Sequence, residues 1–280
     1  MNETLSVIGN PIKHSKSPLI HNYWLKKYNI KALYTKIEAR KTELSSYIKM
    51  VKDKELKGLN VTLPFKKDFF NLVDEVDEAA KSSLAINTIF EKNGKIIGTN
   101  TDGIGFVSSL HRDVDFELKY GLNLFCFGAG GATYGIVSEL LKYKPLSIEI
   151  SNRTLSKATI LVNHFSRRKD NNTIFKVLPW GESPKEHIDM VVNTSTCGMK
   201  ENDKFPTNLE KLSKKALVYD IIYNPKVTSL MKVARKNNLL AINGIYMLVR
   251  QAAESFKRWF EIDLSDEDIN DVIKLLGHDA

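Results

Sequence analysis

One lysine and one aspartate in the first half of the chain accompany polar side chains that could bind a hydroxylated substrate. Residues 60–66 read Asn-Val-Thr-Leu-Pro-Phe-Lys; on a strand, Asn60 and Thr62 project to one face, with Lys66 just past the break. Asp102 occurs in the segment Asn-Thr-Asp-Gly at residues 100–103. A lysine paired with an aspartate can move a proton at a hydroxyl during hydride chemistry. Taken singly, Lys66 could equally be a solvated lysine and Asp102 a turn former.

Two further motifs add hydrogen-bonding groups. Ser15 and Ser17, in His-Ser-Lys-Ser-Pro at residues 14–18, stand beside a predicted helix start, where hydroxyls and backbone amides can hold a carboxylate. Capping that helix is the alternative role, with Ser17 as the N-cap. Asn87, which precedes a threonine, supplies an amide. Together with Asn60, Thr62, Lys66 and Asp102, these groups predict a polyol acid as the ligand.

A glycine-rich turn predicts a dinucleotide-binding unit. An apolar run ends at residue 127, a helix is predicted over residues 133–143, and a second apolar run covers residues 146–150. The turn itself consists of Gly128, Ala129, Gly130, Gly131 and Ala132. Glycine lets the backbone approach a pyrophosphate, and the helix N-terminus favours its charge. The third position of the usual pattern is Thr133 rather than glycine or alanine, so a tight turn without a ligand is the alternative.

The residue at the end of the second apolar run predicts which dinucleotide binds. An acidic side chain there would suit the free ribose hydroxyl of NAD. This chain has Arg153, flanked by Asn152 and Thr154, which suits a 2′-phosphate. The expected cofactor is therefore NADP.

Strands alternate with helices along the chain, which predicts an α/β fold with mostly parallel sheets. A helix is predicted over residues 17–27, a helix over residues 75–83, and a hairpin over residues 87–99 with an Asn-Gly turn. Helices are also predicted over residues 246–259 and, capped by Ser265, up to residue 276.

Composition narrows the class of protein. The 280 residues allow one large domain or two, and the net charge of +8 comes from lysines spread along the chain, which argues against nucleic acid. No apolar run approaches the ~20 residues of a membrane span, and no secretory signal is visible. The two cysteines show no metal-ligand spacing, so no metal is expected. These features favour a cytoplasmic protein.

The ordered motifs resemble those of the shikimate dehydrogenase family, along the whole chain. Besides the motifs above, the resemblance rests on Gly-Asn-Pro at residues 9–11 and Met-Leu-Val-Arg-Gln-Ala at residues 247–252. It implies NADPH-dependent, reversible reduction of 3-dehydroshikimate to shikimate, on the route to chorismate and aromatic amino acids. A quinate/shikimate dehydrogenase that uses NAD, and a dinucleotide-binding regulator without catalysis, are the alternatives. A monomer or homodimer is expected, with no membrane or nucleic-acid partner.

The resemblance also implies roles for individual residues. Lys66 and Asp102 match the catalytic pair, Ser15 and Ser17 match carboxylate ligands, and Asn60, Thr62, Asn87 and Gln251 match ring-hydroxyl ligands. The expected cofactor residues are Gly128, Ala129, Gly130, Gly131, Ala132, Asn152, Arg153, Thr154, Lys157, Tyr223, Gly244 and Met247.

The polar motifs lie largely outside the dinucleotide unit, which indicates two domains. Residues 1–103, completed by residues 244–280, are expected to form an α/β substrate-binding catalytic domain, and residues 104–243 a Rossmann-type NADP-binding domain. Two departures stand out, both on the cofactor side. Tyr246 is bulky for a loop that is often glycine-rich in the family, and the segment before Gly198 has one residue more than usual.

Overall fold

A computed structural model describes residues 3–168, 172–200 and 202–278. The strands are β1 (Glu3–Gly9), β2 (Ala32–Glu38), β3 (Gly58–Val61), β4 (Glu75–Val76), β5 (Thr88–Lys92), β6 (Lys95–Thr99), β7 (Asn123–Phe127), β8 (Ser147–Ser151), β9 (Ile174–Leu178), β10 (Met190–Asn193), β11 (Leu217–Asp220) and β12 (Leu240–Ile242). The helices are α1 (Ser17–Lys27), α2 (Leu44–Lys52), α3 (Glu78–Ser83), α4 (Asp102–Arg112), α5 (Gly131–Leu140), α6 (Leu155–Ser166), α7 (Ser229–Lys236), α8 (Ile245–Phe260) and α9 (Asp266–Leu275).

The chain divides into two compact units. The first runs up to Gly105 and resumes at Leu248, and the second is Phe106–Met247. Both divisions fall inside helices, namely α4 and α8. The expected domain limits, at residues 103 and 244, lie two and four residues earlier in the chain.

The first unit is built on a six-stranded mixed sheet in the order β2-β1-β3-β5-β6-β4. Strands β1, β2 and β3 are parallel, whereas β5 runs antiparallel to both β3 and β6. The β5–β6 turn has Asn93 and Gly94 at positive φ, so the predicted Asn-Gly hairpin is confirmed. Parallel pairing brings the ends of β1 and β3 together, and the polar segments with Ser15, Thr62 and Lys66 follow these ends.

Two predictions within this unit were wrong in detail. Ser17 is the first residue of α1, and the N-cap is Lys16, which makes no side-chain capping bond. The helix predicted over residues 75–83 begins only at Glu78, because Glu75 and Val76 pair with β6 and the Asp77 side chain caps the helix by accepting from the Ala80 amide at 2.9 Å.

The second unit is built on a six-stranded parallel sheet in the order β12-β11-β10-β7-β8-β9. Chain order reverses between β7 and β10, and at such a point ligands bind beyond the carboxyl ends of the strands. Phe127 and Asn193 are the paired final residues of β7 and β10. The sequence-predicted α/β class with a Rossmann-type sheet is therefore confirmed.

Helix α5 begins two residues earlier than predicted. The Thr133 hydroxyl accepts from the Gly130 amide at 3.0 Å, so one of the free amides at the helix N-terminus gains a partner and the helix extends back to Gly131. A short 3₁₀ turn, Leu141–Tyr143, replaces its last predicted turn. Among the described residues, no helix combines the length and apolarity needed to cross a membrane, and no cluster of ligating side chains suits a metal ion.

Candidate active site

Lys66 and Asp102 are in direct contact in the first unit. The Lys66 ammonium binds Oδ2 of Asp102, and their side chains are only 14% and 7% exposed. Lys66 lies in a 3₁₀ segment, Phe65–Asn71, that follows β3, and Asp102 is the first residue of α4. The Asp102 amide donates to Oδ1 of Asn100 at 2.9 Å, which fixes the turn into the helix. This contact can hold or move one proton at a hydroxyl placed beside it.

Asn87 determines how the Asp102 carboxylate is oriented. Its Oδ1 accepts from the Thr101 backbone amide at 2.8 Å, and a backbone amide can only donate. The Asn87 Nδ2 must therefore face the other way, and it donates to Oδ1 of Asp102 at 2.8 Å. Gln251, on α8, completes the group, since its Oε1 lies 3.4 Å from the Asn87 Nδ2.

The two serines lie side by side at the start of α1. Their hydroxyl oxygens are 3.3 Å apart, and the Ser17 amide points to the Ser15 hydroxyl at the same distance. Ser17 is buried, whereas Ser15 is half-buried. Thr62, also half-buried, follows the end of β3 and donates its amide to the Ile8 carbonyl at 2.9 Å.

Asn60 lies deeper than the other predicted ligands. Its Nδ2 donates to the Asn87 carbonyl at 3.1 Å, and its Oδ1 accepts from the Tyr34 hydroxyl at 2.6 Å. Further donations reach the Thr88 and Ser255 hydroxyls. The side chain is only 7% exposed, so it links strands of the first unit in addition to the ligand role predicted for it.

Sequence reasoning missed three polar residues that support this site: Tyr34, Thr101 and Ser255. Ser255 bonds Thr88 at 2.7 Å and lies 3.3 Å from Thr101. A signal for Ser255 existed, because it stands four residues after Gln251 and its hydroxyl donates to the Gln251 carbonyl. Tyr34 gave no comparable signal, because its partner Asn60 is 26 residues away.

In the second unit, the glycine-rich turn has the geometry of a dinucleotide-binding turn. Gly128 has φ +110°, and a Cβ there would lie 2.6 Å from the Thr194 hydroxyl, so only glycine fits. A Cβ at Gly130 would meet no atom within 4 Å, which leaves open space beside the turn. Gly131 and Ala132 form the first turn of α5. An open glycine turn at a helix N-terminus fits a pyrophosphate.

Cationic and hydroxyl side chains follow the neighbouring strand β8. Arg153, Thr154 and Lys157 are exposed, and Asn152 folds back so that its Nδ2 donates to the Thr154 carbonyl at 2.8 Å. Thr154 is the N-cap of α6 and Lys157 lies in its first turn. The Arg153 guanidinium lies 6.0 Å from the centre of the Trp180 ring. Two cations at a helix N-terminus fit a phosphate group.

A buried carboxyl ties the end of β10 to the loop after β11. Asp220 accepts from Nδ2 of Asn193 at 2.9 Å and from the Thr228 hydroxyl at 2.7 Å. Burial raises the pKa of Asp220 to about 6 against these hydrogen bonds. The predicted residue Tyr223 lies in the loop that Asp220 begins, and it is half-buried.

The departures at Tyr246 and before Gly198 leave both loops hydrogen-bonded. The Asn243 Oδ1 accepts from the Ile245 amide at 3.1 Å, and a Cβ at Gly244 would lie 1.9 Å from the Ile221 carbonyl oxygen, so the turn is closely packed. The Met247 amide donates to the Tyr219 hydroxyl at 3.2 Å. The longer loop before Gly198 is closed by a bond from Asn193 to the Cys197 carbonyl at 3.1 Å.

The predicted residues separate cleanly between the two units. The first unit holds every predicted catalytic and substrate residue: Ser15, Ser17, Asn60, Thr62, Lys66, Asn87, Asp102 and Gln251. Of these, Lys66, Asn87, Asp102 and Gln251 form one connected group, and the two serines form another. The predicted cofactor residues all lie in the second unit.

Comparisons with known proteins agree with this arrangement. Residues 7–89 match the family model for the shikimate dehydrogenase substrate binding domain. The chain is 40% identical to the NADP(+) shikimate dehydrogenase of Pelagibacter ubique, over 96% of this chain and 98% of that protein.

Solved structures are similar over nearly the full length. A shikimate dehydrogenase in complex with NADP+ superposes with a TM-score of 0.87 at 32% identity, covering 98% of this chain and 96% of the other. The 5-ketofructose reductase of a Gluconobacter strain has a TM-score of 0.88 at 25% identity, with 99% of each chain covered. On the sequence identity and the shared fold, this chain belongs to the shikimate dehydrogenase family.

Proposed function

We propose that this chain catalyses the reversible, NADPH-dependent reduction of 3-dehydroshikimate to shikimate. The contact of Lys66 with Asp102, held in orientation by Asn87, is the observation that carries the proposal. It places a proton donor and acceptor in direct contact, with both side chains largely buried. Such a pair suits the interconversion of a ketone and an alcohol.

Substrate binding divides between two groups of side chains. Ser15 and Ser17 bind the carboxylate, because two neighbouring hydroxyls can donate to its two oxygens. The ring hydroxyls bind to the amides of Asn87 and Gln251 and to Thr62. Asn60 supports the site by binding the Asn87 carbonyl and the Thr88 hydroxyl. Its direct contact with substrate stays a prediction.

The proton step belongs to Lys66 and Asp102. During reduction, the Lys66–Asp102 pair supplies a proton to the oxygen at the reacting carbon. In the reverse direction the same pair accepts the proton from the hydroxyl. Because the two side chains are in direct contact, the role of acid or base is assigned to the pair.

NADP is the cofactor that the second unit fits. When bound, the reduced cofactor supplies the hydride. The glycine turn and the N-terminus of α5 would hold its pyrophosphate, and Arg153 with Asn152, Thr154 and Lys157 would hold the 2′-phosphate. Tyr223, Gly244 and Met247 would lie near the nicotinamide. The second unit is thus the NADP-binding domain of this proposal, and the first is the substrate-binding domain.

Fewer observations support the proposed cellular location and oligomeric state. Cys126 and Cys197 are both free thiols, which suits a reducing cytoplasm. We propose a monomer or homodimer acting on small molecules, without nucleic-acid or membrane partners.

Substitution of Lys66 tests the proposed chemistry. Lys66→Ala should lower kcat by on the order of 100-fold or more, because the pair that moves the proton at the oxygen is broken. Asp102→Asn should be similarly slow, and the double variant should be little worse than either single one, since the two residues act as a unit. Lys67→Ala, which removes the neighbouring exposed lysine, is the control and should retain activity. Normal turnover by Lys66→Ala would remove the pair from the mechanism.

A further inference from the structure

Tyr34 is a rigidly held, buried phenol in the first unit. The side chain, on β2, is 2% exposed. Asn22 on α1 holds its backbone from both sides, donating to the Tyr34 carbonyl and accepting from its amide, each at 2.9 Å. The ring stacks on His21, with centroids 4.3 Å apart and planes 15° apart. The phenol oxygen therefore has one well-defined position.

The direction of the phenol hydrogen bond follows from its partner. The Asn60 Nδ2 faces the Asn87 carbonyl, which can only accept, so the Asn60 Oδ1 faces Tyr34. The Tyr34 hydroxyl must then donate to Oδ1, at 2.6 Å. Its lone pairs stay available to a second donor.

Asn60 joins the Tyr34 phenol to the rest of the site. Its Nδ2 donates to the Asn87 carbonyl at 3.1 Å, and the Asn87 side chain donates to Oδ1 of Asp102 at 2.8 Å. Burial also raises the pKa of Tyr34 well above its usual value, so the phenol keeps the proton that it donates to Asn60. Tyr34 is therefore bonded to a predicted ring-hydroxyl ligand that leads on to the Asp102 carboxylate.

We propose that Tyr34 is a positioning residue for substrate, holding the Asn60 side chain in its orientation through the phenol hydroxyl. The inference rests on the proposed function, because it assigns Asn60 to the substrate site. Tyr34 itself contacts no reacting atom. Its loss should therefore weaken substrate binding and leave cofactor binding unchanged.

Tyr34→Phe is the direct test, because it removes one oxygen and keeps the ring stacked on His21. The KM for shikimate should rise roughly 3- to 10-fold, the range expected for one hydrogen bond, with the KM for NADP unchanged. Tyr28→Phe is the matched control. It removes a phenol that bonds Asp268 at 2.8 Å in the same unit, and it should alter thermal stability without altering the KM for shikimate.

Two further variants separate positioning from a structural role. In an Asn60→Ala background, Tyr34→Phe should have a smaller effect than in the wild type, because the two residues share one hydrogen bond. Asn22→Ala keeps the Tyr34 phenol but removes the hydrogen bonds to the Tyr34 backbone, and it should raise the KM for shikimate by a smaller factor. This variant replaces Tyr34→Phe as the test if Tyr34→Phe does not fold.

A wild-type KM for shikimate in Tyr34→Phe, with lowered thermal stability alone, would overturn the inference, as would full additivity with Asn60→Ala. Failure of the proposed function gives a different result. In that case the wild-type protein itself would not oxidise shikimate with NADP.

Discussion

At the scale of single residues, fixed backbone donors and acceptors orient the polar groups of the site. The Thr101 amide determines which way the Asn87 side chain faces, and Asn87 then donates to Asp102. The Asn87 carbonyl determines the orientation of Asn60 in the same way. Since neither amide can flip without losing a buried hydrogen bond, the site is organised before substrate binds.

Arg153 is the residue on which cofactor choice should depend. Its guanidinium can bind a 2′-phosphate through two hydrogen bonds, and NAD offers no such group. Arg153→Ala should therefore weaken the binding of NADP by roughly 2–3 kcal/mol and leave the binding of NAD nearly unchanged. The measurement is kcat/KM for both cofactors.

The matched control for this change is Arg235→Ala, an exposed arginine on α7 in the same unit, which removes the same charge from the protein. It should leave the ratio of kcat/KM for NADP to kcat/KM for NAD as in the wild type. Equal losses for NADP and NAD in Arg153→Ala would show that Arg153 does not read the 2′-phosphate.

At the scale of elements, the close crossing of α4 and α8 brings Gln251 to the site. A Cβ at Gly105, on α4, would lie 2.6 Å from the backbone nitrogen of Gln251 and 2.6 Å from the Gln251 Cβ. Backbone atoms cannot move aside cheaply, so no side chain fits there. Asp102 and Gly105 stand one turn apart on α4, and the crossing therefore fixes Gln251 close to Asp102.

Gly105→Ala should separate the two helices and displace Gln251. We expect a rise in the KM for shikimate together with a loss of stability of about 1–3 kcal/mol, the usual cost of overpacking. Urea denaturation and steady-state kinetics measure the two effects. Gly94→Ala, in an exposed turn where a Cβ meets no atom, is the control for substrate binding, although its positive φ also costs stability. Unchanged kinetics and stability in Gly105→Ala would contradict the close crossing.

Local signals in the sequence predicted which helices and strands form better than they predicted where each one begins and ends. The Asn-Gly turn at residues 93–94 and the bounds of α1 followed from conformational preferences of a few adjacent residues. The start of α3 did not, because β6 competes for Glu75 and Val76. Contacts such as Tyr34 with Asn60, whose strands β2 and β3 lie on either side of β1, depend on the order of strands in the sheet, and no local preference encodes that order.

At the scale of the whole molecule, stability should depend on pH through buried groups. Burial lowers the pKa of His21 to about 3, and neither ring nitrogen has a hydrogen bond of normal geometry to a described residue, although the Asn60 side chain opposes the shift in part. In the unfolded chain a histidine titrates near 6.5. Below about pH 6.5, His21 therefore binds a proton in the unfolded state but not in the folded state. As a result, His21 lowers the stability of the folded state as the pH falls toward about 3.

His21→Phe should reduce that loss. Its free energy of unfolding should fall less steeply between pH 6.5 and pH 4.5 than that of the wild type, by up to about 1.4 kcal/mol for each pH unit. Asp220 acts in the opposite direction, because its pKa of about 6 makes the folded state bind a proton first. His111→Phe, at an exposed histidine, is the control. Parallel wild-type and His21→Phe curves would show that His21 is not buried as a neutral ring.

One matrix of initial rates tests the proposed reaction. Purified wild-type protein is assayed with shikimate or quinate, each with NADP or NAD, and kcat/KM is obtained for the four pairs. We expect the highest value for shikimate with NADP, and a drop of roughly 30-fold or more when NAD replaces NADP, as expected from a 2–3 kcal/mol phosphate contact. No turnover of shikimate with NADP, or faster turnover with NAD, would contradict it.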